Sequence, residues 1–274
     1  MAGEVGIHRR QIADGQISPN KLASSLKDCG YFYHPCNVNY PVLGPAPYAF
    51  PTAGDGNNGR LCTPYGDVLY RMAGSQTLLG PVMDSAEAKL DIGLDEANAE
   101  GVEYVINSFL AAGARLNHVV GTSAPFMVRA KLTIEDVSGA AECALGVRKV
   151  EAFQAAIDDY DELACLNVQA GTINVETILN NGTTDTVDTG LTWGDGEEKE
   201  LKVVVGIGYP GVSNAGKVRF YVDGVRVGPD TFVFDSAEVL TGFIHFLQGG
   251  DACRLFASEI EAGFLRDFDD QYLF

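Results

Sequence analysis

The second half of the chain alternates apolar and polar residues with the two-residue period of a β-strand. Residues 126–134, FMVRAKLTI, keep this alternation over most of their length, which predicts a strand with one buried face. The run at 201–206 is apolar and rich in β-branched residues, so it predicts a more deeply buried strand. Related patterns predict further strands over residues 142–149, 172–179, 183–187, 217–222, 225–227, 243–247 and 254–265.

Short turn sequences join two pairs of these strands into predicted hairpins. Asn180-Asn181-Gly182 separates one pair and Asp223-Gly224 separates the other; both supply residues that accept the positive φ angles of a type I′ turn. Helix-like patterns are limited to residues 154–162 and, weakened by glycines at 101 and 113, 97–111. Many strands with few helices predict an all-β fold: an antiparallel jelly roll or β-sandwich with an extended N-terminal arm and one or two short helices.

Residues 1–66 differ from the rest of the chain in charge and composition. Residues 1–27 carry four basic and two acidic side chains, and they include a short helix start at Ser18-Pro19. Such a helix is marginal alone, so we expect it to dock on a surface, with a frayed terminus as the alternative. Residues 28–66 hold six prolines and five tyrosines, which predicts an irregular segment that packs its rings on a neighbour.

This contrast divides the chain into an anchoring segment, residues 1–66, and a jelly-roll domain, residues 67–274. We expect the partner of the anchoring segment to be bound by its basic, aliphatic and aromatic side chains: Arg9, Arg10, Ile12, Ile17, Leu22, Leu26, Tyr31 and Tyr33.

Composition and charge exclude several classes of protein. A chain of 274 residues with 46% hydrophobic and 20% charged residues can form a core without disulfides or metals. Its net charge of −18 repels phosphate backbones, so no nucleic-acid partner is expected. No segment has the roughly 18 apolar residues that a membrane-spanning helix needs, and the N-terminus lacks the apolar core of a secretory signal.

Three local patterns suggest chemistry, and for each the plainer interpretation is preferred. Residues 206–211 match G-x-G-x-x-G, but a strand rather than a helix follows them. The acidic run at 158–162 suggests calcium, but it matches no EF-hand loop, and a solvated surface is expected. Glu259 and Glu261 share one face of a predicted strand, as the paired carboxylates of a sandwich-fold glycosidase do. The E-x-D-x-E pattern of one such group is absent and Trp193 is the only tryptophan for a sugar platform, so no enzyme activity is expected.

The cysteines and histidines do not form a standard metal motif. A zinc site can be drawn from Cys29, His34, Cys36 and Cys62, but the spacings match no common pattern. Six cysteines without a C-x-x-C pair predict free thiols in a reducing compartment, with a Cys29–Cys36 bridge as the alternative. We therefore expect no metal and no cofactor.

Two sets of residues resemble proteins of tailed phages. Residues 11–22, QIADGQISPNKL, are similar to the I-x-D-G-x-I-x-x-x-K-L leader near the N-termini of many tailed-phage virion proteins. A longer set resembles structural proteins of marine and environmental tailed phages, whose domain is similar to the concanavalin/laminin-G type of jelly roll. The matching segments are residues 146–160, 176–182, 193–201, 220–225 and 261–264.

The resemblance implies a non-enzymatic virion component. It implies first a capsid decoration (cement) protein that stabilises the head shell, bound to the major capsid protein or to a tail or neck protein. Such a protein is expected on the capsid surface after assembly in the host cytoplasm, as a homo-oligomer and first of all as a trimer. The alternatives are a tail or neck fibre subunit and a glycan-binding adhesion module. The sugar and calcium ligands of lectin-like families do not match this sequence, so none is carried over.

Overall fold

The computed structural model describes ten stretches of the chain and places seventeen strands in them. These stretches are residues 31–35, 57–63, 66–73, 81–84, 86–87, 89–93, 100–106, 118–206, 216–250 and 253–264. The strands are β1 (Tyr31–Pro35), β2 (Asn57–Thr63), β3 (Gly66–Ala73), β4 (Val82–Asp84), β5 (Lys89–Asp91), β6 (Gly101–Ile106), β7 (His118–Val119), β8 (Phe126–Ile134), β9 (Ala140–Lys149), β10 (Leu163–Gln169), β11 (Thr172–Ile178), β12 (Asp185–Thr192), β13 (Glu198–Val205), β14 (Val218–Val222), β15 (Val225–Val227), β16 (Val239–Gln248) and β17 (Leu255–Phe264).

The strands form two sheets in which all the recorded strand pairs are antiparallel. Sheet A has eight of the described strands in the order β15-β14-β13-β8-β17-β5-β4, with β1 also paired to β17. Sheet B has nine in the order β12-β11-β10-β9-β16-β6-β3-β2, with β7 also paired to β16. The predicted all-β sandwich is therefore confirmed. Among the described residues no helix is long and apolar enough to cross a membrane.

The core lies between the two sheets and is built from one face of each strand. Along β8 the side chains of Phe126, Val128 and Ala130 are fully buried, whereas the alternate positions are partly exposed. On β9 Leu145 and Val147 face this core, and Ala144 and Arg148 on the other face are buried as well. Each strand consequently presents a second row of side chains on the outer face of its sheet, and these rows hold most of the polar groups considered below.

Both predicted hairpins are confirmed. β11 and β12 are joined through Asn180 and Asn181, whose φ angles are 55° and 53°. β14 and β15 are joined through Asp223 and Gly224, with φ angles of 50° and 77°. Asparagine, aspartate and glycine reach this left-handed region at low cost, which is why these turns could be identified from the sequence.

Three local predictions are wrong in whole or in part. The helix predicted at 97–111 is replaced at 101–106 by strand β6, because pairing with β3 and β16 outweighs the weak helical pattern. The helix predicted at 154–162 shrinks to one turn of 3-10 helix, Ile157–Asp159. The segment 28–66 is not irregular throughout, since it contributes β1 and β2. The domain boundary at residue 66 stays a prediction, although β1 and β2 pair with strands of the predicted jelly-roll domain.

Candidate functional site

The predicted anchor residues are only partly covered by the structure. Arg9, Arg10, Ile12, Ile17, Leu22 and Leu26 lie outside the described residues, as do Cys29, Cys36 and the glycine-rich loop after Gly206. Tyr31 and Tyr33 lie in β1, where they pair with Gly263 and Glu261 of β17. No group of three His, Cys, Asp or Glu side chains in the described stretches is arranged to hold a metal ion.

The outer face of sheet A carries a charge cluster centred on Arg129. From β8 its guanidinium donates through Nε to Glu261 Oε2 at 2.6 Å, through Nη1 to Glu200 Oε2 at 2.5 Å and through Nη2 to Glu259 Oε2 at 2.8 Å. Lys131 Nζ lies 3.4 Å from Glu259 Oε1. These side chains are partly buried, with Arg129 18% exposed and Glu261 14% exposed. Such charge-assisted bonds fix the guanidinium and the carboxylates in one arrangement.

The pairing register extends this cluster into a row across sheet A. Glu261 lies opposite Arg129, Arg129 lies opposite Lys202, and Lys202 lies opposite Tyr221. Lys202 Nζ stands 4.5 Å from the centre of the Tyr221 ring, a cation–π contact. Tyr33 of β1 occupies the next register position, opposite Glu261. We call these five positions, Tyr33, Glu261, Arg129, Lys202 and Tyr221, the sheet A row.

The prediction that Glu259 and Glu261 share one face of a strand is confirmed. Both carboxylates accept hydrogen bonds from the same guanidinium, that of Arg129. A glycosidase pair must instead stand on either side of a scissile bond, with one member ready to donate a proton. This arrangement therefore favours a fixed polar surface over a pair of catalytic groups.

Trp193 is not a sugar platform. Its side chain is buried, with 2% of the residue exposed, and its Nε1–H donates to the carbonyl oxygen of Glu197 at 2.8 Å. Only the residue type could be read from the sequence here, and the burial of the ring decides its role.

The outer face of sheet B carries a second polar cluster beneath residues 150–162, which we call the strap. Arg148 on β9 binds Glu103 on β6 through two bonds, Nη2 to Oε1 at 2.6 Å and Nε to Oε2 at 3.1 Å. Tyr160 of the strap donates its hydroxyl to Glu103 Oε2 and lies against the guanidinium, 4.5 Å from ring centre to Cζ. All three residues are buried. Burial, followed by the charge of Glu103, raises the pKa of Tyr160.

Apolar contacts hold the rest of the strap on sheet B. Ile157 and Tyr160 pack with Phe243 and Cys165 on the sheet, and the rings of Tyr160 and Phe243 are 6.4 Å apart. The solvated surface expected for 158–162 is correct for Asp158 and Asp159, which are exposed, whereas Tyr160 and Glu162 are buried. The strap is thus a covering layer attached by the hydrogen bond from Tyr160 to Glu103 and by a small apolar cluster.

A further group of titratable side chains lies beside the strap. Glu142 on β9 and His245 on β16 approach to 3.5 Å between Oε2 and Nε2. Asn167 on β10 donates to Glu176 Oε2 on β11 at 3.0 Å. Burial, together with the charges of Glu176 and of two strap aspartates, raises the pKa of Glu142 to about 7. Burial also raises the pKa of Glu176 and lowers the pKa of His245 to about 4.

Sequence reasoning missed the sheet B cluster altogether. Arg148 and His245 are polar residues inside predicted strands that are otherwise largely apolar. A polar residue at such a position was the signal that could have indicated the cluster. Their partners could not be found from spacing, because Glu103 lies 45 residues before Arg148 inside a segment that was predicted to be helical.

Comparison with known proteins finds structural likeness without sequence likeness. No family model matches the chain, and no curated protein matches it. Among solved structures, the potassium-bound carbohydrate recognition domain of Emp46p aligns with a TM-score of 0.48 and 4% identity, over 72% of this chain and 89% of that one. The carbohydrate recognition domain of Emp47p aligns with a TM-score of 0.46 and 8% identity, over 71% and 88%.

A botulinum neurotoxin type C structure, described as entering cells through two ganglioside molecules, aligns with a TM-score of 0.46 and 10% identity. It covers 91% of this chain, which spans about half, 51%, of the neurotoxin chain. At these identities and TM-scores, no ligand and no residue role of these proteins can be assigned to this chain. The resemblance to phage structural proteins stays a prediction.

Proposed function

We propose that this chain is a non-catalytic adhesion module that binds carbohydrate on the outer face of sheet A. The observation that carries the proposal is the sheet A row, in which Glu261, Arg129, Lys202 and Tyr221 follow one another across four strands. Carbohydrates present hydroxyl groups that pair with carboxylate and guanidinium groups, and apolar C–H faces that pack on aromatic rings. The row offers the polar contacts, while the Tyr221 ring, 8% exposed, holds Lys202 in place through its cation–π contact.

Two features of the row support recognition rather than catalysis. Arg129 holds three carboxylates in place, so the polar groups are ordered before a ligand arrives and little ordering entropy is lost on binding. Met127 and Val204 pack with Tyr221 on the same outer face, which adds an apolar border to the polar groups. A flat site of this kind fits a weak, repeated contact with a polysaccharide surface.

The Arg129→Lys variant tests the proposal. Lysine keeps the positive charge but loses the planar fork that reaches three carboxylates, so we expect glycan affinity to fall by about tenfold or more. Binding is measured with the full chain on an array of bacterial surface polysaccharides, and thermal unfolding checks that the variant is folded.

The matched control is Arg254→Lys, because Arg254 also binds two carboxylates, Glu135 and Asp84, but stands outside the row. We expect this control to bind like the wild type. A wild-type chain that binds no glycan on the array, or equal affinities for the two variants, would contradict the proposal.

A capsid decoration protein is the second candidate, and strand β1 is the observation that favours it. β1 pairs with β17 at five positions, from Tyr31 opposite Gly263 to Pro35 opposite Glu259. The chain that precedes residue 31 therefore starts from a fixed point beside sheet A. This is the attachment that an anchoring arm requires, since a defined origin limits the volume in which the arm searches for its partner.

Removal of residues 1–27 tests this second candidate. The deletion leaves β1 intact, so we expect the body to keep its melting temperature while occupancy on purified phage particles is lost. Occupancy is measured by quantitative gel analysis of particles after incubation with the added protein. Unchanged occupancy of the truncated chain would remove the anchoring role, and particle binding with a blank glycan array would favour this candidate over adhesion.

A further inference from the structure

His245 is a fully buried histidine on strand β16. It lies on the outer face of sheet B, and within the described residues neither Nδ1 nor Nε2 has a hydrogen-bond partner. Its ring faces the carboxyl group of Glu142, 3.5 Å from Nε2 to Oε2. A buried nitrogen that is left unpaired costs free energy, so a proton between these two groups would stabilise the pair.

Glu142 also touches the strap. Its Oε2 accepts the backbone N–H of Ile157 at 3.4 Å, and Ile157 is the buried residue at the start of the 3-10 turn in the strap. The side chain of Glu142 is 14% exposed, so a proton can exchange with solvent from this site. Glu142 thus stands between a buried imidazole on the sheet and the backbone of the strap.

The charged groups that act most strongly on Glu142 are acidic. They come from β11 and from the strap: Glu176, Asp158 and Asp159. Asn167 on the intervening strand β10 is neutral and is engaged with Glu176. On the side of His245 the acting charges are Glu103 and Arg148, which are bound to each other. An ionised Glu142 would consequently face like charges on two elements.

We propose that Glu142 and His245 form a proton-holding pair that fastens the strap to sheet B. In the fastened state the protonated carboxyl group of Glu142 donates to Nε2 of neutral His245 and accepts the N–H of Ile157. When the proton is released to water, the imidazole loses its donor and the carboxylate repels Asp158 and Asp159. The strap then opens more often at Ile157, while the hydrogen bond from Tyr160 to Glu103 keeps it attached to sheet B.

The direction of the pH dependence follows from proton counting. Between about pH 4.5 and 6.5 the unfolded chain holds its proton on His245 and the folded pair holds one on Glu142, so the pair adds no net pH dependence. Above that range the unfolded chain holds none. The free energy that fastens the strap therefore decreases as the pH rises through about 7.

Hydrogen exchange of the Ile157 amide in the full chain tests the proposal. As the pH rises from about 6.5 to about 7 we expect its protection factor to fall by roughly threefold, since opening releases one proton in this range, and to become independent of pH above it, where the fastened pair has also lost its proton. Glu142→Gln keeps an N–H donor for His245 and cannot ionise, so its protection factor should stay constant. The matched control Glu176→Gln removes a negative charge that raises the pKa of Glu142, so the decrease should be smaller and should end at a lower pH.

The nitrogen NMR spectrum of the His245 ring in the wild-type chain gives an independent result that needs no variant. At about pH 6 we expect a neutral ring with the proton on Nδ1 and with Nε2 as an acceptor. A ring that carries its proton on Nε2 at that pH overturns the proposal. So does a wild-type protection factor for Ile157 that is independent of pH.

Discussion

The Arg148→Met variant is expected to lose about 3–5 kcal/mol of its free energy of unfolding, because it leaves the carboxylate of Glu103 buried without its cation. The side chains of Arg148 and Glu103 are 4% and 1% exposed, so water cannot replace the missing guanidinium. Methionine keeps most of the apolar volume, and the loss therefore reports the charge rather than a cavity. Urea unfolding followed by circular dichroism measures it.

Two further variants make the result specific. Arg254→Met removes a guanidinium that also binds carboxylates but is 36% exposed, and we expect it to cost at most about 1 kcal/mol. The double variant Arg148→Met with Glu103→Met removes both charges, so it should recover part of the loss. Recovery will be incomplete, because the hydroxyl of Tyr160 loses its acceptor. Equal losses of unfolding free energy for Arg148→Met and Arg254→Met would show that burial does not make the Arg148–Glu103 pair more important for stability than the exposed pairs of Arg254.

Trp193→Ala alone is expected to lower the free energy of unfolding by about 3–5 kcal/mol, an amount similar to that expected for Arg148→Met. The ring fills part of the core between the sheets, and its removal leaves a cavity and the carbonyl of Glu197 without its donor. The nearby control is Leu191→Ala, at a residue 37% exposed on the edge strand β12, which should change stability by less than about 0.5 kcal/mol.

The Trp193 result also bears on the adhesion proposal. If glycan binding by this variant decreases only in proportion to its unfolded fraction, the tryptophan acts through the core. A decrease in affinity of the fully folded variant, measured well below its melting temperature, would instead place the ring in the binding site and contradict its structural role.

Short sequence patterns were sufficient to predict the parts of the fold that are determined by residues close together along the chain. Strand β8 could be predicted because burial of one face imposes a two-residue period on its side chains. The two hairpins could be predicted because few residues accept a positive φ. β6 could not, since its strand state depends on neighbours, β3 and β16, that lie far away in sequence.

Gly146 shows the same limit at a single residue. The sequence presents only a glycine within a strand, yet a Cβ built at Gly146 would lie 2.3 Å from the carbonyl oxygen of Ala164. Only the pairing of β9 with β10 reveals that contact. Long-range pairing is set by how whole faces pack together, and no short stretch of residues contains that information.

The candidate site shows the same difference between what short sequence patterns predict and what only long-range strand pairing determines. The common face of Glu259 and Glu261 follows from strand periodicity alone. Their engagement with Arg129 does not, because Arg129 lies 130 residues before Glu259. The Glu142–His245 pair was invisible for the same reason: each member is one polar residue in an otherwise ordinary strand, and only sheet register brings them together.

The position of β17 has a consequence for how the protein is made. It lies between β8 and β5 inside sheet A and also pairs with β1, although it is the last described strand along the chain. During translation, β8 therefore has no partner on the side of β17 until residues 255–264 have left the ribosome, and sheet A cannot be completed before then. A nascent chain that stalls before this point exposes a long apolar edge, which makes it a substrate for chaperones and a source of aggregates.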